Sequence, residues 1–354
     1  MPRYEAPCFA SGCGGVSEDG KRAVFTFDEP LSDSWSPEDQ VYERFQGVTR
    51  PLVDFPAGKK WPVKLWAVSD DAKRIVVQTR ATLTDDDLDG HGDDLFAIEG
   101  GQAFLLSNDP ANPDDTPAPP ALDDPSQKTM LFEALSADGD TAYLSTFAQV
   151  ANKMCVQFYA RTATELRKLP IDCEFSQFLG VSRDDSSVFS LSYDTWKEGF
   201  YRLRGDDSTL LTDFDTAGLG NRCSPQSNYG DVSENGDIML FSTNVPISPA
   251  DDDLALDVYT RNGPDDYTLI SEGTGGQVEN CSSGMEADTP VGLSRDGSRA
   301  LFTTQASLSP ADQDGATDLY RRVPGQPMDL ITTGPTDDQS NQRNPAYGDL
   351  GAGM

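Results

Sequence analysis

Short stretches in which apolar and polar residues alternate run along the chain, and turn formers separate them. Alternation at period two puts successive side chains on opposite faces and predicts half-buried strands. No stretch carries the longer periodicity of an amphipathic helix. One phrase recurs: a small or apolar residue, Ser, any residue, an acidic or amide residue, usually Gly, then an apolar run. It reads VSEDGKRAVF from Val16, VSDDAKRIVV from Val68, LSADGDTAYL from Leu135, VSRDDSSVF from Val181, VSENGDIMLF from Val232 and LSRDGSRALF from Leu293. The serines Ser17, Ser69, Ser136, Ser182, Ser233 and Ser294 are 52, 67, 46, 51 and 61 residues apart. Uneven gaps around a constant phrase mean repeats with variable loops.

Each repeat reads as four strands. The residues leading into Ser form the first, and the acidic–Gly pair turns the chain because both residue types tolerate positive φ. The second strand follows, with Phe25, Val77, Leu144, Phe241 and Phe302 eight residues after their serines and Phe189 seven after Ser182. A polar loop leads to a third strand opened by an aromatic: Tyr42, Phe96, Phe158 or Tyr159, Tyr201, Tyr259 and Tyr320. The fourth strand includes TLLTD from Thr209, YTLIS from Tyr267 and MDLIT from Met328. A lone four-stranded sheet cannot cover its apolar faces, whereas stacked sheets cover each other. The expected fold is therefore all-β: a six-bladed β-propeller of four-stranded antiparallel blades. The competing readings are an open solenoid and a pair of sandwiches. The blades fall at about 9–58, 59–108, 128–172, 173–214, 222–272 and 285–333. The Pro- and Asp-rich segment 108–128 is expected to be an extended, mobile insertion, and 334–354 a polar tail. YGDL at Tyr347 echoes YGDV at Tyr229, so the tail either begins a further repeat or helps close the ring.

The phrase LSRDGSRALFTTQASLSPADQDGATDLYRR resembles the β-propeller repeat of the TolB family, a WD-like repeat, and of actinobacterial surface or secreted propellers. The resemblance runs from about Phe9 to Thr333. It implies a propeller, and a periplasmic or extracellular protein that binds other proteins. Similar propellers precede the catalytic domain of prolyl oligopeptidases, but no G-x-S-x-G elbow occurs here.

Composition narrows the function classes. The net charge of −32 argues against nucleic acid, whose phosphates need clustered Lys and Arg. No apolar run is long enough to span a bilayer. A single His leaves little room for a His-based triad or a multi-His metal site. Cys8, Cys13, Cys155, Cys173, Cys223 and Cys281 contain no C-x-x-C pair and lean toward an oxidising compartment. One connectivity joins Cys155–Cys173 within a blade, Cys223–Cys281 across adjacent blades and Cys8–Cys13 at the start of the chain; free buried thiols are the alternative. The first residues carry no apolar leader, so the protein is cytosolic or a leader has been removed.

The loops between second and third strands carry the candidate chemistry. Three share D-x-D-x-x-x-D: Asp87, Asp89 and Asp93; Asp251, Asp253 and Asp257; Asp312, Asp314 and Asp318. Oxygen ligands at this spacing suit a hard cation such as Ca²⁺, but the EF-hand pattern fails, with His91, Ala255 or Ala316 at the fifth position. Turn chemistry, in which Asp accepts from nearby backbone N–H groups, explains the same residues. Trp35 and Trp196 fall in such loops and are candidates to line a binding face. The expected function is a non-catalytic, extracytoplasmic interaction module with an acidic loop face for a protein or small-molecule partner. The alternative is a Ca²⁺-dependent hydrolase of phosphoesterase or lactonase type.

Overall fold

The computed structural model describes residues 14–27, 41–53, 55, 63–87, 94–107, 130–150, 153–171, 175–194, 197–214, 226–251, 254–264, 266–272, 288–313 and 316–332. Among these residues all regular structure is β. Blade 1 holds β1 (Gly14–Val16), β2 (Arg22–Thr26), β3 (Val41–Phe45) and β4 (Val48–Pro51), and blade 2 holds β5 (Val63–Val68), β6 (Arg74–Thr79), β7 (Asp94–Glu99) and β8 (Gln102–Leu105). Blade 3 holds β9 (Leu131–Leu135), β10 (Ala142–Val150), β11 (Lys153–Arg161) and β12 (Leu166–Lys168), and blade 4 holds β13 (Phe175–Val181), β14 (Val188–Asp194), β15 (Lys197–Arg204) and β16 (Asp207–Asp213). Blade 5 comprises β17 (Ser227–Val232), β18 (Met239–Thr243), β19 (Asp257–Gly263) and β20 (Asp266–Leu269), and blade 6 comprises β21 (Thr289–Leu293), β22 (Ala300–Thr304), β23 (Asp318–Arg322) and β24 (Asp329–Leu330). Each blade is a separate four-stranded sheet whose strands neighbour one another in chain order. The fold is an all-β six-bladed propeller, as the repeats predict. Two compact units divide it, Arg3–Phe178 with Gly205–Asp207, and Leu179–Arg204 with Ser208–Met354 and Met1–Pro2.

The serine phrase is a hydrogen-bonded turn built the same way in all six blades. Each Ser Oγ donates to the Asp or Asn two residues on, at 2.7–2.9 Å, from Ser17–Asp19 to Ser294–Asp296. The same Oγ accepts the N–H five residues on, at 2.9–3.1 Å. Positive φ falls on the third residue after Ser: Gly20, Ala72, Gly139, Asp185, Gly236 and Gly297. The sequence reading shares positive φ between the acidic residue and Gly. In the structure only the second of the pair is left-handed, and the acidic residue contributes a side-chain acceptor instead.

The turns also bond to one another. In the N-terminal unit the Glu18 N–H donates to Asp70 O at 2.7 Å, and the Asp70 N–H to Ala137 O at 2.9 Å. In the C-terminal unit the Asp184 N–H donates to Glu234 O at 3.0 Å, and the Glu234 N–H to Arg295 O at 2.7 Å. Arginines stitch the blades further out. Arg161 and Arg261 each stand two residues past the aromatic of the third strand. Arg161 Nη2 donates to Leu105 O at 2.9 Å, and Arg261 Nε to Leu211 O at 3.0 Å, each on the last strand of the preceding blade.

The core sits between blades. Phe25 lies opposite Tyr42, Phe241 opposite Tyr259 and Phe302 opposite Tyr320, stacked at 5.8–6.0 Å between ring centres. Tyr159, rather than Phe158, faces Leu144. Blade 4 keeps this register with Ser190 opposite Tyr201, while Phe189, one residue earlier, faces Arg202, and Phe200 joins Phe214 and Phe241 in an edge-on cluster. A bulge in the first strand recurs three residues before the serine, at Trp66, Glu133, Gly230 and Val291.

Candidate functional site

The Asp-rich loops of blades 2, 5 and 6 open with the same turn. The N–H groups of Asp87, Asp251 and Asp312 donate to Thr84 O, Ser248 O and Ser309 O at 3.3, 3.0 and 2.9 Å. The phenol of Tyr259 then donates to Asp251 Oδ2, and that of Tyr320 to Asp312 Oδ2. Blade 2 carries Phe96 at this place and has no such bond to give. Burial raises both phenols above their usual range, and the hydrogen bond to a carboxylate raises them further.

A second aspartate opens the third strand. Ser271 Oγ donates to Asp257 Oδ1 and Thr332 Oγ1 to Asp318 Oδ1, both at 2.7 Å. The same hydroxyls accept the N–H groups of Val258 and Leu319 at 3.0 and 2.8 Å. In blade 2 Ser107 Oγ donates to Asp94 Oδ1 at 2.8 Å. The place held by Asp257 and Asp318 therefore belongs in blade 2 to Asp94, because that loop is one residue longer; counting spacing from Asp87 leads to Asp93 instead. Asp257 and Asp318 are buried. In blades 5 and 6 the bonds tie the loop, the third strand and the end of the fourth strand together; in blade 2 the bond from Ser107 ties the third strand to the end of the fourth. The sequence signal that identifies the second partner is a Ser or Thr thirteen or fourteen residues after the strand-opening Asp.

Asp89, Asp93, Asp253 and Asp314 lie outside the described residues, as do His91, Trp35, Trp196 and the segment 108–128. Among the described residues no three His, Cys, Asp or Glu side chains gather as a metal cluster would. Cys155 is buried and disulfide-bonded. Its partner is one of Cys8, Cys13, Cys173, Cys223 and Cys281, which lie outside the described residues along with the pairings expected for them.

The turns are strongly polarised. Hydrogen bonds from Lys21 and Ser17 hold the Asp19 carboxyl well below the usual carboxylate range, and bonds from Ser294 and Ser298 hold Asp296 at about 2. At Asp71 and Asp184 partial burial pushes upward, and hydrogen bonds outweigh it, with Lys73 leading at Asp71 and Ser182 at Asp184. Blade 5 inverts the pattern. Asn235 replaces the acid, and its amide donates to Asp237 Oδ2 at 2.8 Å. Between blades 2 and 3 a small crevice is lined by Arg74, Phe104, Leu135, Asp140 and Arg161, among others.

No family model and no curated protein matches the chain. Solved structures do. One comes from a study of two prolyl endopeptidases, with TM-score 0.42 and 14% identity, covering 91% of this chain; the chain spans 50% of that protein's length. A TolB candidate from Agrobacterium tumefaciens gives TM-score 0.37 and 14% identity, over 73% of this chain and 80% of that one. The β-propeller domain of the Trilobed protease from Pyrococcus furiosus gives 0.46 and 8%, over 91% and 81%. The chain is similar to these propellers, and its fold assignment rests on its own sheets.

Proposed function

We propose that the protein is an extracytoplasmic binding module whose acidic face takes cations and basic surfaces of protein partners. The observation that carries this reading is the division of labour among its carboxylates. The described aspartates of the repeated loops serve the scaffold, while other acids face water, among them Asp85, Glu165, Asp207, Glu234 and Asp266. With net charge −32, such a surface attracts positive partners and speeds their encounter. The disulfide at Cys155 favours an oxidising compartment. Ca²⁺ is part of the proposal, with Asp87, Asp89 and Asp93, Asp251, Asp253 and Asp257, and Asp312, Asp314 and Asp318 as the candidate ligands.

Calorimetry with CaCl₂ at physiological salt, a melting curve, retention on an immobilised Lys-rich peptide and a hydrolysis screen with and without Ca²⁺ test the reading together. The expected results are heat and a raised melting temperature with Ca²⁺, salt-sensitive retention, and no turnover. No heat and no melting shift at millimolar Ca²⁺ removes the metal, and absent retention removes the acidic face. Metal-dependent turnover of a phosphoester or lactone replaces the binding module with an enzyme.

A further inference from the structure

One seam of this acidic chain concentrates positive charge. Arg202 and Arg204 alternate onto one face of β15, in blade 4, and Arg261 projects from β19 of blade 5 toward blade 4. Arg204 is well held: its Nε donates to Ser187 Oγ at 2.6 Å, and its Nη2 donates to Asn235 O at 2.9 Å and Asp237 Oδ1 at 3.2 Å. Arg261 is 6% exposed and gives its Nε–H to a carbonyl, Leu211 O. Arg202 is less well served. Its Nη1 stands 3.5 Å from Asp237 Oδ1, beyond good hydrogen-bond length, with its side chain only 22% exposed. Arg202 and Arg204 thus converge on the same oxygen of one carboxylate, whose side chain is 54% exposed. Asp184 adds a weaker attraction on Arg204 from further away.

The seam between blades 2 and 3 shows what balance looks like in the same frame. There Arg74 pairs with Glu99 at 2.6 Å and Asp140 at 2.9 Å, and Arg161 is the equivalent of Arg261. Two guanidiniums meet two carboxylates. Between blades 4 and 5, Arg204 stands where Glu99 would, Arg202 and Arg204 share Asp237, and the buried Arg261 bonds to the Leu211 carbonyl instead. Partial burial and the neighbouring Arg204 and Arg261 all disfavour the charge on Arg202. A planar guanidinium offers five donors in a fork matched to oxyanions.

We propose that the seam between blades 4 and 5 is a binding site for a phosphate-type oxyanion, held by the forks of Arg202 and Arg204 with Arg261 supplying charge from behind. The site is independent of the acidic face, and it selects ligands of the opposite sign. Free phosphate and the phosphoryl group of a small ester share this chemistry.

Calorimetry of the full chain with sodium phosphate and with phenyl phosphate, against sodium chloride at equal ionic strength, tests it. Saturable heat for phosphate is expected, with Arg202→Gln weakening binding at least tenfold and Arg74→Gln, at the balanced seam, leaving it unchanged. Tighter binding of the ester assigns the site to a phosphorylated molecule, and equal binding to the free anion. Arg202→Lys, which keeps the charge without the fork, is expected to fold and to bind with intermediate affinity. No heat beyond the chloride control overturns the proposal, and so does equal weakening by Arg202→Gln and Arg74→Gln.

Discussion

A tyrosine hydroxyl fastens the Asp-rich loops of blades 5 and 6. Tyr320→Phe keeps the stack on Phe302 and removes the hydroxyl's bond to Asp312, which is 7% exposed, together with the acceptor of the Leu308 N–H. Stripping a donor from a buried carboxylate costs about 1–3 kcal/mol, and urea denaturation should show a loss of that size. Asn235 is a second such point. Asn235→Asp restores the residue type of the other blades but sets two carboxylates in contact at Asp237. The melting temperature should fall at neutral pH, by the equivalent of about 1 kcal/mol or less for so exposed a pair, and recover when the acids are protonated. The turn serines were legible because Ser-x-Asp-Gly names its own hydrogen bonds. The partners of the loop aspartates were not, since Ser107, Ser271 and Thr332 lie a whole hairpin away. Arg202 gave no local signal either, because its meaning depends on what faces it from the next blade.

At the scale of the element, strands and their order followed from alternation and turn residues, and the structure has both. The recurrent bulge at Trp66, Glu133, Gly230 and Val291 was invisible, because the residues share no type and a bulge is set by pairing across strands. The turns differ in what surrounds them, and that makes a prediction. Gly20 and Gly139 both have positive φ, 70° and 83°. A Cβ on Gly20 meets nothing within 4 Å, whereas on Gly139 it meets the Cβ atoms of Arg74 and Ser69, each at 3.0 Å. Gly20→Ala should cost about 1–2 kcal/mol for the left-handed backbone alone. Gly139→Ala should add about 1–3 kcal/mol of overpacking, since its neighbours are Cβ atoms fixed to the backbone rather than flexible side-chain ends. Chemical denaturation of the two variants compares them directly.

For the whole molecule the balance of charge governs response to conditions. The carboxyls of Asp19, Asp71, Asp184 and Asp296 are all lowered from 3.8 by their turn bonds. A depressed carboxyl stabilises the fold above its unfolded value and loses that contribution as pH falls through the folded one. The turns should therefore survive to about pH 4 and weaken progressively toward pH 2, the value for Asp296, which a melting series across that range would follow. Added salt should raise the melting temperature at neutral pH by screening the repulsion of a chain with net charge −32. The amide bonds that run from turn to turn, Glu18 to Asp70 to Ala137 and Asp184 to Glu234 to Arg295, carry a consequence of another kind. Glu18 and Glu234 hold their side chains out in water, yet each gives its N–H to a neighbouring repeat. Such protons exchange with deuterium only when adjacent repeats part, so the slow amides of this protein should include residues that surface exposure alone would rank among the fastest.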